Sequence, residues 1–303
     1  MTRTEIGVIA HNEAGNLGRL IRRLIDEPGD HRVCIVSSGS TDGTDEIAQE
    51  WARRDDRIRA VIEPERRGKA RAINRFLADV APTTTQIVLV SGDVLPEHGA
   101  LGRLLEPLAE PDVCMTGARP CPDNSKGSLI GLVVHFQWDL LDSISRQRPK
   151  LGEMVALKAP VLPINPDSIV DEAALEAQLT RTGSRLAYVA GARVQNRGPS
   201  TWSDLVAQRE RIRIGHRQLQ AATGYRVTTH RLLDLVLPTI RFLFRHPWKT
   251  PIALAAACVE VWARVQASRS KEQPSVWPKL ESTRIRLGTD GLRAPGARGS
   301  FFR

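Results

Sequence analysis

The chain has 303 residues, 41% of them apolar and 25% charged, with a formal net charge of +9. That length suits one large domain or one domain with an appendage, and the apolar fraction is enough for a core, which excludes a disordered chain. The positive balance suits anionic partners such as phosphorylated small molecules or acidic lipid headgroups; with aromatics at 5% and no aromatic-studded basic strand, nucleic acid ranks last.

Residues 6–10 form an apolar run that reads as a first strand, ending at His11-Asn12-Glu13. Asn12 is placed to cap the next helix, in which Leu17, Leu20, Ile21 and Leu24 recur on one face. Residues 33–36 make a second strand, followed by the polar loop Ser37-Ser38-Gly39-Ser40-Thr41-Asp42-Gly43-Thr44 and a helix over 45–53. A third strand is expected over 58–62, and Arg66-Arg67-Gly68-Lys69 then leads into a helix through Leu77. Residues 87–90, Ile-Val-Leu-Val, suit a fully buried parallel strand; they stop at Ser91-Gly92-Asp93, with Pro96 beyond. This alternation predicts an α/β fold with a mostly parallel central sheet and helices on both faces. A carboxylate at the C-terminal end of a buried strand lies where such sheets bind ligands, which makes Asp93 a candidate. The competing role for Asp93 is to cap a helix beginning near Glu97.

Further along, a strand is expected over 113–117, a helix over 129–144 and an extended run over 151–158. A helix over 171–182 and a strand over 186–189 follow, and from Trp202 the chain turns helical and basic. Within the 129–144 helix, His135, Trp138 and Asp139 share helical spacing and are candidates for an acceptor pocket; Glu153 is a candidate second carboxylate. Gln208 and Arg211 lie at i, i+3 and can reach one ligand. The apolar stretches 232–244 and 252–265 are interrupted by Asp234, Pro238, Arg241, Glu260 and Arg264 and fall short of the ~20 apolar residues of a spanning helix. They read as amphipathic segments lying on a membrane, packed on the catalytic body, or forming a dimer surface. The expected divisions are a body over 1–215, a helical extension over 216–268 and a basic, disordered tail over 269–303. Four cysteines without C-x-x-C spacing argue against zinc or disulfides and for a reducing compartment, with Cys34 as a small core residue. The N-terminal apolar run is too short for a signal peptide, so a cytoplasmic chain is expected, peripheral on the inner membrane face.

Six of these stretches, in this order, resemble the inverting family-2 glycosyltransferases over roughly residues 5–215. Ala10-His11-Asn12-Glu13 takes the place of the family's P-x-x-N-E turn, and Val36-Ser37-Ser38-Gly39-Ser40-Thr41-Asp42-Gly43-Thr44 that of its V-D-D-G-S-T-D-G-T loop. Gly68-Lys69-Ala70-Arg71-Ala72-Ile73-Asn74 matches G-K-x-x-A-x-N, and Ser91-Gly92-Asp93 is a reduced D-x-D. Asp171-Glu172-Ala173-Ala174-Leu175, with Gly183 and Tyr188 downstream, resembles the distal E-D-x-x-L. Gln208-Arg209-Glu210-Arg211-Ile212 is similar to the closing Q-x-x-R-W. The resemblance implies a GT-A fold, a single Rossmann-type domain. It also implies a nucleotide-sugar donor, a Mg²⁺ or Mn²⁺ ion at Asp93 and a hydroxyl acceptor, small or lipid-linked such as a polyprenyl phosphate.

A divalent cation on the diphosphate would offset the charge that builds as it departs, and inversion needs a base opposite the leaving group. Glu172 falls where the family has its catalytic Asp, with Asp171 beside it; the plainer role for the pair is to complement the helix dipole. The resemblance assigns the donor to Ala10, His11, Asn12, Glu13, Ser37, Ser38, Gly39, Asp42, Gly68, Lys69, Asn74, Gly92 and Asp93. Three departures stand out: Ser37 and Ser38 replace aspartates, Ser91 replaces the first Asp of D-x-D, and Ile212 replaces Trp. A nucleotidyltransferase of similar fold and a catalytically silent sugar-nucleotide-binding protein are the alternatives.

Overall fold

The computed structural model describes residues 3–228, 232–269 and 283. The expected disordered tail therefore lies outside the described residues, apart from Arg269 and Thr283. The chain opens β1 (Thr4–Ala10), α1 (Ala14–Ile25), β2 (His31–Ser38), α2 (Thr44–Arg54), β3 (Ile58–Glu63), α3 (Lys69–Ala78), β4 (Gln86–Ser91). It continues with β5 (Leu95–Pro96), α4 (Ala100–Leu105), β6 (Val113–Pro122), α5 (Leu129–Ser145), β7 (Met154–Lys158) and α6 (Asp171–Leu179). β8 (Arg185–Asn196), α7 (Trp202–Thr223), α8 (Leu232–Arg245) and α9 (Thr250–Arg269) complete it.

One eight-stranded sheet runs β3-β2-β1-β4-β7-β6-β8-β5. β3, β2, β1 and β4 are mutually parallel, as the apolar runs of β1, β2 and β4 imply; β3, broken by Arg59, is the part-buried edge. Their side chains alternate between two cores. Ile6, Val8, Val33, Ile35, Val88 and Val90 pack under α1, α2 and α4, while Cys34, Val36, Ile87 and Leu89 pack under α3 and α6. Gly7 of β1 faces Phe76 so closely that an added Cβ would come within 2.7 Å of its ring.

The sheet is mixed, which alternation alone did not show. β7 runs antiparallel to both β4 and β6 and places its beginning beside the end of β4, with Val90 opposite Met154. β8 is also longer than expected and pairs parallel with β6 across two register shifts. A third core joins α5, α7, α8 and α9 through Ile130, Val133, Phe136, Leu205, Phe242 and Ala256. The expected boundary at 215 falls inside α7, which continues to Thr223 and carries both the body and the C-terminal helices. Among the described residues no helix is long and apolar enough to cross a membrane.

Candidate active site

Three parallel strands, β1, β2 and β4, end on the same side of the sheet, and the loops leaving them line a cleft of about 360 Å³. The β1 exit supplies Ala10, His11 and Glu13, the β2 exit Ser38, and the β4 exit Ser91, Gly92 and Asp93. Because β7 is antiparallel, Gly152 and Glu153 enter from its beginning on that same side, and the Ser91 N–H donates to the Glu153 carbonyl at 3.2 Å. Asp171 and Glu172 open α6, Gln208 and Arg211 come from α7, and Gly68 and Lys69 from the start of α3.

The β1 and β2 loops are braced against each other rather than left open. The His11 Nδ1–H donates to the Ser38 carbonyl at 2.8 Å, and the Thr41 N–H donates to Asn12 Oδ1 at 2.7 Å. Asn12 sits at φ +55°, a left-handed conformation that Asn tolerates, so it pins the loop and does not cap α1 as expected. Gly39, at φ +58°, passes so near the backbone N of Arg66 that a Cβ would lie 2.4 Å from it. Only glycine allows that approach.

At the β4 exit, the Gly92 N–H donates to the Ile9 carbonyl at 2.8 Å and closes the turn that presents Asp93. Asn16, fully buried on α1, donates through Nδ2 to the carbonyls of Gly92 and Val94, both at 2.8 Å. It shares the apolar face of Leu17, Leu20 and Leu24, and that lone polar residue was the signal for it. The helix after Asp93 starts at Ala100 with Gly99 at its cap position, so Asp93 caps nothing. Asp93 Oδ1 is buried without a hydrogen-bond partner.

The carboxylates here perturb one another. Burial, then the negative charge of Asp93, pushes Glu153 up to about 7, and its backbone lies at φ +64°. A non-glycine residue held there costs on the order of 1–3 kcal/mol, a strain that marks functional sites. Burial likewise pushes Asp171 up to about 7, and Asp171 Oδ1 is also without a partner. Glu172 behaves oppositely. Burial would raise it, yet Lys69 outweighs that and holds it below the usual carboxylate range, with Lys69 Nζ 2.5 Å from Glu172 Oε1 and 3.9 Å from Asp171 Oδ2. For Lys69, burial works against the ammonium, but Glu172 and Asp171 prevail and keep it above its ordinary range.

Deeper in, Glu176 is 1% exposed and accepts from the Leu151 N–H at 2.9 Å and the Tyr225 hydroxyl at 3.0 Å; burial still pushes it up to about 7. The folded state thus holds this proton more tightly than the unfolded chain, and the cost of ionising it grows as pH rises from about 4.5 to 7. Glu176→Gln keeps both partners, so it is expected to stabilise the protein at pH 8 by up to about 3 kcal/mol. Denaturant unfolding should show that gain shrinking towards pH 5.

Not every expected residue reaches the cleft. Ser37 is buried and donates to Asp45 Oδ1 at 2.5 Å, with Ser40 Oγ at 2.8 Å. Asp42 accepts from the backbone N–H groups of Ala14 and Thr44, both at 3.2 Å. Asn74 exchanges hydrogen bonds with the backbone of Ile164 at 2.8 and 2.9 Å and so clamps the loop before α6. Asn12, Ser37, Gly39, Asp42 and Asn74 therefore shape the site without lining it. His135 and Trp138 lie elsewhere: His135 Nε2–H donates to the Asn124 carbonyl at 2.9 Å, and Trp138 packs on the third core. Among the lining residues that the sequence did not single out are Arg66, Lys150, Asn196 and Arg197. Arg66 adjoins the Gly68-Lys69 motif, which was the available hint; its guanidinium is pulled down by burial and then by the charge of Arg211.

A divalent cation fits the donor set in part. Asp93 and Glu153 repel each other, and a buried oxygen of Asp93 lacks a partner. Among the described residues, however, no three His, Cys, Asp or Glu side chains gather into a cage. This is the pattern of an ion held by one or two carboxylates and completed by substrate phosphates and water.

Comparison with known proteins agrees with this arrangement. Residues 5–150 match the family described as Glycosyl transferase family 2. Succinoglycan biosynthesis protein ExoA of Rhizobium meliloti (strain 1021) is 33% identical over 109 residues, 35% of this chain. That match spans about a third, 31%, of the relative's length. Among solved structures, the mannosyltransferase PcManGT of Pyrobaculum calidifontis, in complex with GDP-Man and Mn²⁺, superposes with a TM-score of 0.66 at 18% identity, covering 89% of this chain and 88% of that one. Glucosyl-3-phosphoglycerate synthase of Mycobacterium tuberculosis, with Mn²⁺, UDP-glucose and phosphoglyceric acid, gives 0.50 at 21% identity, covering 74% and 80%.

Sheet order, flanking helices and the cleft at the strand ends are those of the GT-A fold. Residues 5–150, just under half of the chain, are similar to glycosyl transferase family 2.

Proposed function

We propose that this glycosyltransferase transfers a sugar with inversion from a nucleotide-sugar donor to a hydroxyl acceptor, with Glu172 as general base and a divalent cation held at Asp93. One observation carries the reading: a single cleft gathers two mutually repelling carboxylates, Asp93 and Glu153, the first with a buried oxygen lacking a partner, and, separately, a carboxylate kept ionised by a lysine, Glu172 with Lys69. Ala10, His11, Glu13, Ser38, Gly68, Lys69 and Gly92 shape the donor side, and Gln208 and Arg211 the diphosphate and acceptor side.

In the step itself, Glu172 takes the proton of the acceptor hydroxyl. The freed oxygen attacks the anomeric carbon from the face opposite the nucleotide, and the carbon–oxygen bond to the diphosphate breaks, its electron pair leaving with phosphate. Arg66 and Arg211, two cations lining the cleft, meet that charge. The cation, when bound at Asp93 beside Glu153, supplies further positive charge to the departing diphosphate. Lys69 fixes Glu172 in its ionised form, and Asp171, more deeply buried, holds Lys69 from behind.

The acceptor is a lipid-linked compound, and the protein works peripherally on the cytoplasmic membrane face. Supporting this, α8, α9 and the turn between them expose Leu237, Phe244, Trp248, Leu254 and Trp262, with Arg241 and Arg245 also exposed on α8. To test the reaction, the protein is mixed with a panel of nucleotide sugars and Mn²⁺ and free nucleoside diphosphate is followed. Release from one donor is expected. Pyrophosphate release from a nucleoside triphosphate and a sugar phosphate would instead mean a nucleotidyltransferase, and binding without turnover a silent sugar-nucleotide binder.

A further inference from the structure

α7 is a partition with a cavity on each side. Gln208 and Arg211 face the sugar-transfer cleft, whereas Arg209 and Arg213, i and i+4 on the helix, face a second cavity of about 260 Å³. Lys150, Ile212 and His216 line both, so the two cavities adjoin across α7. The walls of the second are apolar: Phe136, Leu140 and Ile144 of α5, Leu235 of α8, Ala253 and Ala256 of α9. Its lining includes Ala257 and Val261, both exposed and on α9, which also presents Leu254 and Trp262 to solvent beside Leu237 of α8.

Charge in this apolar space does not balance. Lys150, Arg209 and Arg213 line it against a single carboxylate, Glu260. That carboxylate is already shared, 3.0 Å from Arg213 and 2.9 Å from Arg264. The Nε atoms of Arg209 and Arg213 are buried without a hydrogen-bond partner. Unsatisfied buried donors are costly, and an anion in this space would both accept from them and offset the excess positive charge.

We propose that the second cavity seats the apolar chain of a lipid-linked acceptor, with the phosphate joining chain to sugar held by Lys150, Arg209 and Arg213 and the sugar hydroxyl reaching Glu172 in the adjoining cleft. The inference rests on the transferase reading above and names its acceptor site. A cavity of this volume is below the ~300–1,000 Å³ typical of drug-sized ligands, so it takes the part of the chain nearest the phosphate. The remainder follows the exposed apolar surface of α8 and α9 into the bilayer.

The test is calorimetric titration of the full chain with farnesyl phosphate below its micellar range, beside farnesol and inorganic phosphate. Farnesyl phosphate is expected to bind at least ~10-fold more tightly than either fragment, since chain and charge are read together. Ala257→Trp, which fills the rim from an exposed position, should weaken it by ~10-fold or more, and Val261→Trp serves the same end should Ala257→Trp misfold. Arg209→Gln should remove the preference for farnesyl phosphate over farnesol. Equal binding by the folded rim variant and the parent, or inorganic phosphate binding as tightly as farnesyl phosphate, overturns the site. Donor cleavage by the unmodified protein is measured separately. Its absence counts against the transferase reading, whereas rim-independent lipid binding overturns the tail site alone.

Discussion

Glutamine in place of Glu172 is expected to lower sugar transfer by ~100-fold or more, the usual scale for a lost general base, with donor affinity nearly unchanged. The amide fills the same space and still accepts from Lys69, which lies 2.5 Å from Oε1 in the parent, so the cleft keeps its shape. What disappears is the capacity to take a proton. Lys69 makes the parent carboxylate ionised at neutral pH, hence ready for that task, whereas the amide keeps the lysine's hydrogen bond without any basicity. A residue that merely complements the dipole of α6 would behave otherwise: its loss costs about 0.3–1 kcal/mol of stability and leaves turnover alone. Single-turnover transfer and donor titration on the same variant separate the two. Undiminished transfer would remove Glu172 from the reaction.

Asp93→Ala is expected to abolish Mn²⁺-dependent donor binding while moving the melting temperature little. One oxygen of Asp93 is buried without a partner, and its charge pushes against Glu153, so the folded protein gains nothing obvious from this carboxylate. Removing it relieves Glu153, whose affinity for its proton should fall towards the ordinary carboxylate range. The measurement is nucleotide-sugar titration with and without Mn²⁺, paired with thermal unfolding. A large loss of stability would recast Asp93 as structural. Binding that remains Mn²⁺-dependent would place the ion on other oxygens.

Much of this architecture was legible before any coordinates. The runs 6–10, 33–36 and 87–90 became strands because short, nearly continuous apolar stretches flanked by polar turns are buried within a covered sheet, while 58–62, interrupted by Arg59, became the part-buried edge strand. Asp93 was singled out by its place at a strand end, and Lys69, Glu172 and Arg211 by the motifs they resemble; the four share a cleft. Ser37, Asp42 and Asn74 were expected at the donor and instead lie outside the cleft lining, for one reason. Polar residues in a ligand-binding loop can also serve the loop itself, and hydrogen-bonding capacity in the sequence does not say towards which partner it is spent. Trp138 and His135 were attributed to the cleft on helical spacing, which fixes a shared face and not its direction.

Local pattern therefore determined the strands, the helices and the chemical character of each loop, since these depend on neighbours a few residues away. Tertiary structure alone decided that β7 enters antiparallel and carries Glu153 to Asp93 from 60 residues on, and that α7 divides one cavity from another. The pairing direction of a strand, and the side on which a helix meets a pocket, follow from how distant segments share a core. No stretch of residues read by itself contains that contact.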